Sequence, residues 1–253
     1  MRWLLATTLF AGFVACASFG GDNATSADDA GVVSEGGGGD AGDDGPFCPH
    51  VDAAFCADFD GVQQPDIGFT AQDGDASVDL DDVAVSPPRS LRITTHPSSG
   101  PDAGIDYGRL RKKLSRVYAQ DRITVDVDLR IDTFPKTGSF FSTLALELPD
   151  GRYVSVNFTE GSPSLTLVAK DSSVIASFPT SKPPVAEWFH LRLIADLNRG
   201  DFSLEYPGQS LNKPSTSFTA GTALDFTFDV SLYVAPATDA VVHYDNLVIA
   251  TGP

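Results

Sequence analysis

Positive charge is what this 253-residue chain has least of: 17 Lys+Arg stand against 34 Asp+Glu, for a net charge of −17. A surface of that sign repels phosphate backbones and anionic headgroups, so nucleic acid is not an expected partner. Long apolar runs are missing as well. The run at the front, Trp3 to Ala15, is thirteen residues, whereas a membrane-spanning helix needs about 20. Cysteine is scarce, at 3, and no Cys-x-x-Cys pair exists to start a zinc site. His50, His96, His190 and His243 have no His-x-x-x-His spacing, and the serine-hydrolase elbow Gly-x-Ser-x-Gly is absent. No repeat of fixed period is visible, and almost no segment has helical spacing.

What is present is a period of two. Phe189, Leu191, Leu193, Ala195 and Leu197 alternate with Trp188, His190, Arg192, Ile194 and Asp196, the pattern of a strand with one buried face. The turn-forming Asn198-Arg199-Gly200-Asp201 follows, and Phe202, Leu204 and Tyr206 then alternate with Ser203 and Glu205. The chain therefore reverses into a hairpin. A hairpin cannot bury its own apolar face, so a second sheet must lie across it. The fold class predicted is all-β, a two-sheet antiparallel β-sandwich. Ile123, Val125, Val127, Leu129 and Ile131 repeat the alternation against Thr124, Asp126, Asp128, Arg130 and Asp132. Further strands are read at 90–95, 140–148, 153–159, 165–170, 174–178, 224–235 and 241–250, with Asp150-Gly151 and Asp171-Ser172 as turns. Residues 61–88 read as turn-rich and acidic. The only basic cluster, Arg109, Arg111, Lys112, Lys113 and Arg116, reads as a charged edge strand facing the acidic remainder, with an anion site as the alternative and with Leu110, Leu114 and Val117 also readable at helical spacing.

The front of the chain carries an address. Met1-Arg2 followed by the apolar run is the layout of a secretory signal peptide, and Cys16 comes directly after it. Phe13-Val14-Ala15-Cys16 resembles the lipobox of bacterial lipoproteins, with Phe13 where that pattern usually has Leu. The resemblance implies cleavage before Cys16, acylation of Cys16 and a lipid-anchored location at the outer membrane or cell surface. An ordinary signal peptide cut near Ala15 or Ala17 is the alternative. Residues 17–46 hold seven acidic residues, no Lys or Arg, and Gly36-Gly37-Gly38-Gly39, a composition that reads as a disordered acidic tether. Signal peptide (1–16) and tether thus precede one domain, 47–253, whose own net charge is −11 once Arg2 and those seven acids are set aside. Cys48 and Cys56 enclose a short segment of an exported chain, so a disulfide is expected, contributing about 2–3 kcal/mol on the chain-entropy estimate. Two buried free thiols are the rival reading.

Phe55-Cys56-Ala57-Asp58-Phe59-Asp60-Gly61, Ser90-Leu91-Arg92, the strand led by Trp188 and the closing Tyr244-Asp245-Asn246-Leu247-Val248 stand in the order seen in concanavalin A-like lectin/glucanase domains. Laminin-G-like modules of bacterial surface lipoproteins look most similar. The resemblance implies a jelly roll whose first and last strands lie side by side and whose concave sheet takes sugar or peptide ligands. It also implies a structural Ca²⁺ where those strands meet, with Asp58, Asp60 and Asp245 as oxygen ligands. The alternative there is a turn at Asp60-Gly61 and a loop capped by Asp245. Laminarinase-type glucanases of this fold carry Glu-x-Asp-x-(x)-Glu on one strand. Asp126-x-Asp128-x-Arg130-x-Asp132 departs from it, with Asp for the first Glu and Arg130 where one version needs the second carboxylate. The row reads as a solvent-side ladder of alternating charge, and Glu147, Glu160, Glu187 and Glu205 are scattered singly. Trp188 and Tyr233 fall out of phase with the apolar residues of their strands and are expected to be exposed, as sugar-stacking platforms would be. The function expected is a non-catalytic envelope domain that binds carbohydrate or another extracellular polymer through Trp188, Tyr233, Asp126, Asp128 and Arg130. The alternatives are a glycoside hydrolase or lyase with Asp126 and Asp128 as carriers, and a structural envelope module without ligand. A monomer that meets the membrane only through its lipid is expected.

Overall fold

The computed structural model describes residues 47–48, 53–66, 68–97, 104–118, 121–135, 140–148, 153–158, 164–168, 174–179, 183–207, 209–214, 223–235 and 237–253. The signal peptide, Cys16, the tether, His50, Glu160 and the turns Asp150-Gly151 and Asp171-Ser172 lie outside the described residues. Among the described residues fifteen strands follow one another: β1 Phe55–Ala57, β2 Ala71–Gly74, β3 Ser77–Asp81, β4 Ser90–Thr95, β5 Asp106–Tyr118, β6 Arg122–Thr133, β7 Phe140–Glu147, β8 Tyr153–Phe158, β9 Ser164–Val168, β10 Val174–Pro179, β11 Trp188–Asp196, β12 Asp201–Tyr206, β13 Gln209–Pro214, β14 Ala223–Ala235 and β15 Ala240–Gly252. There is no helix among the described residues.

Two antiparallel sheets result. Sheet I runs β13-β12-β11-β6-β15-β4-β3 with β1 also on β15, and sheet II runs β10-β9-β8-β7-β14-β5-β2. Period-two sequence explains which residues meet between them. On β6, Ile123, Val125, Val127, Leu129 and Ile131 are buried, and their register partners on β11 include Ala195, Leu193, Leu191 and Phe189. Sheet II turns Leu144, Leu146, Val154, Val156, Phe158, Phe226, Phe228, Val230, Leu232 and Val234 into the same core. Each such side chain contributes about 1.5–3 kcal/mol by leaving water, which is why the sandwich holds without helices.

Residues 61–88 differ from the sequence expectation. They contain two short strands, β2 and β3, at the ends of sheets II and I. β2 is mostly exposed, β3 alternates exposed with half-buried residues, and both carry aspartates, the usual way to blunt a sheet edge. The basic cluster is consequently only partly an edge: β5 lies between β14 and β2 from Gly108 to Arg111, while Lys112, Lys113 and Arg116 lie beyond the β2 register. Gly74 makes that cover feasible. Its φ of +106° is open to glycine, and a Cβ there would collide with the Tyr107 carbonyl.

First and last strands do lie side by side, with Phe55 opposite Ile249, Cys56 opposite Val248 and Ala57 opposite Leu247. The Cys48–Cys56 disulfide, Cα to Cα 5.6 Å, pins the chain entering this corner. Along β15 the neighbour changes from β4, opposite Ala240 to Tyr244, to β1, opposite Leu247 to Ile249. The irregularity falls between them, where Asn246 takes a left-handed φ of 48° and the register against β6 shifts between Asp245 and Val248. Tyr244, fully buried, reaches from β15 into sheet II. Its hydroxyl is 3.1 Å from the Thr143 carbonyl and 2.5 Å from the Ser231 carbonyl, beside the point where the β14–β7 register shifts between Val230 and Tyr233. One O–H donor thus serves two carbonyls at the bulge.

Candidate functional site

The residues expected to bind ligand are divided between the two outward faces of the sandwich. Trp188, Asp126, Asp128 and Arg130 stand on sheet I, where Trp188 is opposite Arg130 and His190 opposite Asp128. Tyr233 stands on sheet II, on β14 opposite Tyr107 of β5. A single ligand lying flat on one face cannot touch both groups.

On sheet I the polar side chains bond one another. His190 donates from Nδ1 to Asp128, at 3.1 Å, and from Nε2 to Asp126, at 3.0 Å. Carboxylates only accept, so both ring nitrogens carry protons and the ring is an imidazolium. Its hydrogen bonds to Asp126 and then Asp128 push its pKa up to about 9. Arg192 Nε donates to Asp126 at 2.6 Å, and Asn246 Nδ2 to Asp128 at 2.9 Å. Although burial works against it, hydrogen bonds from His190 and Arg192 bring the Asp126 carboxyl below its ordinary value. Further along, Arg130 Nε donates to Asp132 at 2.6 Å and His243 Nε2 to Asp132 at 3.1 Å. Trp188 is half-buried rather than exposed, its ring edge-on to His243 with centroids 6.3 Å apart. This face is the charge ladder read from the sequence. It has no base at neutral pH in His190, which lacks a lone pair, and no acid in Asp126, which stays ionised.

Sheet II presents a different surface. Its outward side chains fall in rows across the strands, because register places Arg109 beside Ser231, Arg111 beside Asp229, Asp229 beside Ala145, Ala145 beside Ser155 and Ser155 beside Thr166. Asn157 lies opposite Ser142. The middle of this face is made of small polar groups, yet they are hardly exposed: 1 % for Asn157, 2 % for Ser155, 5 % for Thr166, 6 % for Ser231 and 8 % for Ser142. Small side chains on an outward face become that inaccessible only when other groups stand over them, so they lie as a floor beneath the accessible surface. Tyr107 and Tyr233 continue the row of Ser142 and Asn157, and Lys113, Glu147 and Tyr153 form the row on the other side of Asp229, Ala145 and Ser155. The Tyr107 and Tyr233 rings are 6.2 Å apart and tilted by 36°, and the Arg109 guanidinium carbon is 5.7 Å from the Tyr107 centroid. Asn157 donates from Nδ2 to Ser155 Oγ at 3.0 Å, while its Oδ1 is buried without a hydrogen-bond partner.

The basic cluster supplies the charge of this face, and carboxylates match it. Arg109 grips Asp73 with Nε and Nη2, at 2.7 and 2.8 Å, and reaches Asp229 at 3.5 Å. Arg111 Nε donates to Asp229 at 3.1 Å, and Lys113 pairs with Asp225 at 2.8 Å. Burial pushes the Asp229 carboxyl up while Arg109 and Arg111 pull it down. Lys112 points the other way, its ammonium 4.3 Å above the Phe55 ring and donating to the Gly68 carbonyl at 2.7 Å. Nothing in the composition marked Ser155, Asn157 or Asp229, although Tyr153-Ser155-Asn157 alternating with Val154, Val156 and Phe158 is a strand whose outer face carries no bulky apolar group.

The aspartates expected to bind calcium hold backbone. Asp245 Oδ2 accepts from the Val85 and Ser86 amides at 2.8 and 3.0 Å, and Oδ1 accepts from the Asn246 amide at 2.8 Å. Burial pushes its pKa up to about 6. Asp58 accepts from the Cys48 amide at 3.0 Å and Asp60 from the Arg89 amide at 3.0 Å. Each of the three carboxylates thus has at least one oxygen facing a backbone N–H. Among the described residues no three Asp, Glu, His or Cys side chains are grouped to hold a metal.

Solved structures place this architecture. A structure named cellulose induced protein, Cip1, superposes with a TM-score of 0.52 at 13 % identity, over 69 % of this chain and 85 % of that one. Alginate lyase A1-II′, a member of polysaccharide lyase family 7, gives 0.51 at 11 % identity, over 64 % and 80 %. The fold is a jelly roll. At these identities the likeness carries the fold alone, and no protein-family model and no curated sequence matches the chain. In this jelly roll the concanavalin A-like arrangement implied by the sequence motifs is in place: two antiparallel sheets, closed by the first and last strands at one corner.

Proposed function

We propose that the domain binds an extracellular carbohydrate polymer on the outward face of sheet II without cleaving it. The observation that carries this reading is the sunken polar floor of Ser142, Ser155, Asn157, Thr166 and Ser231, flanked by Tyr107, Tyr153 and Tyr233. Tyrosine rings offer the apolar faces on which pyranose rings stack, and the hydroxyl and amide groups beneath meet sugar hydroxyls once the side chains over them move aside. Cleavage of a glycosidic bond by water needs a carboxylic acid and a carboxylate held on either side of it. Asp229, the buried acid of this face, is bonded instead to two guanidiniums. Incubating the protein with a panel of soluble and insoluble polysaccharides tests the reading. Retention without new reducing ends or unsaturated products supports it, whereas catalytic release of either would convert the face into an active site.

The polymer reading suits a domain held at the cell envelope by Cys16, with residues 17–46 as the spacer. Cys16→Ser is expected to move the protein from the membrane fraction to the soluble exported fraction. An unchanged distribution would leave an ordinary signal peptide.

A further inference from the structure

From the pairing of every described cation on the sheet II face, we infer that the polymer bound there is an uncharged, hydroxyl-rich glycan and not a polyuronate or sulfated chain. The inference rests on the carbohydrate reading of that face and narrows it. Three cations point outward on β5, and each is already engaged: Arg109 with Asp73 and Asp229, Arg111 with Asp229, and Lys113 with Asp225. Glu147 adds a fourth carboxylate in the row beside Asp229. A uronate that took the outer N–H groups of Arg111, which holds Asp229 through Nε, would sit beside that carboxylate, 6 % exposed and of the same sign, and compete with it for the same positive charge. Bidentate Arg–carboxylate contact, the usual way to read a uronate, is spent internally at Arg109 on Asp73.

The long-range field acts in the same direction. A chain of net charge −17 repels a polyanion during approach, at distances over which salt has not yet screened it. A neutral sugar meets no such barrier. What the face offers it is the Tyr107–Tyr233 pair for ring stacking, above small polar groups that include the buried, unpartnered Asn157 oxygen.

The test is calorimetric titration of the full chain with a neutral β-glucan and with an alginate of similar length, each at low and at high salt. Binding of the glucan with a dissociation constant that changes less than about twofold between the salt conditions, and no binding of alginate, is the expected result. Alginate binding that weakens with salt, without glucan binding, overturns the neutral-glycan inference and leaves the carbohydrate reading standing. Binding of neither polymer, nor of any neutral glycan of the panel, by protein with an intact melt removes both. Two variants give an independent check. Asp73→Asn and Asp229→Asn release guanidiniums from their carboxylates, and alginate affinity is expected to rise in each while glucan affinity stays. Asp73 is partly exposed, so its variant is read even if Asp229→Asn fails to fold. Alginate affinity that stays at nil in a folded Asp73→Asn protein counts against the pairing as the cause.

Discussion

The two outward faces are built from the same alternation yet end in different chemistry. On sheet I the long charged side chains of β6 and β11 stand opposite one another and satisfy each other across the strands, so Asp126, Asp128, His190 and Arg192 form a closed set. On sheet II the charges gather on β5 and its two neighbours, and the middle strands β7, β8 and β9 carry small polar groups. A row of paired charges strengthens a surface but leaves little for a ligand to bond. A floor of serine, threonine and asparagine between tyrosines leaves hydrogen-bonding groups at the bottom and ring faces at the rim. The proposed binding is therefore assigned to the face with less charge exchange, not to the one with more polar residues.

Removing the platforms is the strongest way to break the comparison. Tyr107→Ala combined with Tyr233→Ala is expected to weaken glycan binding about thirtyfold or more, as loss of about 2 kcal/mol from central aromatic contacts implies. Trp188→Ala on sheet I is expected to leave the affinity unchanged. If calorimetry gives the reverse order, the binding face is sheet I.

Next in size is a stability effect that links the faces. Tyr244→Phe deletes the hydroxyl that serves the Thr143 and Ser231 carbonyls under the sheet II floor, and a buried acceptor left without a donor costs about 1–3 kcal/mol. Urea unfolding should show that loss, and an unchanged midpoint would mean the bulge carbonyls are satisfied otherwise.

The sheet I ladder is sharpened by pH. His190 binds its proton more tightly in the folded chain, with a pKa of about 9 against an ordinary 6.5. Its contribution is therefore fully present below about pH 6.5 and is lost as pH rises through about 9. The ring is more than half exposed, so screening keeps the effect small. The melting temperature should decline over that window in the parent and less steeply in His190→Gln; parallel curves would show that the imidazolium adds nothing. Smallest of all is the effect of chelator. Because Asp58, Asp60 and Asp245 face backbone amides, melts with and without EDTA should coincide, and a lowered midpoint in EDTA would restore calcium to that corner.

Much of the architecture was legible because one physical signal dominates it. Ile123 to Ile131 and Phe189 to Leu197 alternate without a break, and a strand whose alternate residues are all apolar has only one way to face a core. β2 was not legible, since Ala71-Gln72-Asp73-Gly74 has no alternation, and β3 was missed although Ser77-Val78-Asp79-Leu80-Asp81 alternates, because it is short and set in a turn-rich acidic run. The candidate site was legible only in pieces. Tyr233 was nominated for being out of phase, but so was Trp188, which packs against His243 on the opposite side of the sandwich. Arg109 and Arg111 stood out as a basic cluster, yet their partners Asp73 and Asp229 are 36 and 118 residues away along the chain from Arg109 and Arg111 respectively. Pattern reading sees neighbours in sequence and cannot see across that distance.

Periodicity, composition and the paired cysteines by themselves determined that this chain is acidic and folded as two packed antiparallel sheets with a disulfide at the entry. They suffice because burial of alternate side chains is a local property, repeated strand after strand. Tertiary structure alone decided which polar residues share a face, which charges are already spent on one another, and that the least conspicuous serines and asparagine form the floor. Strand order and register set those matters, and they follow from how all fifteen strands pair, not from any one of them.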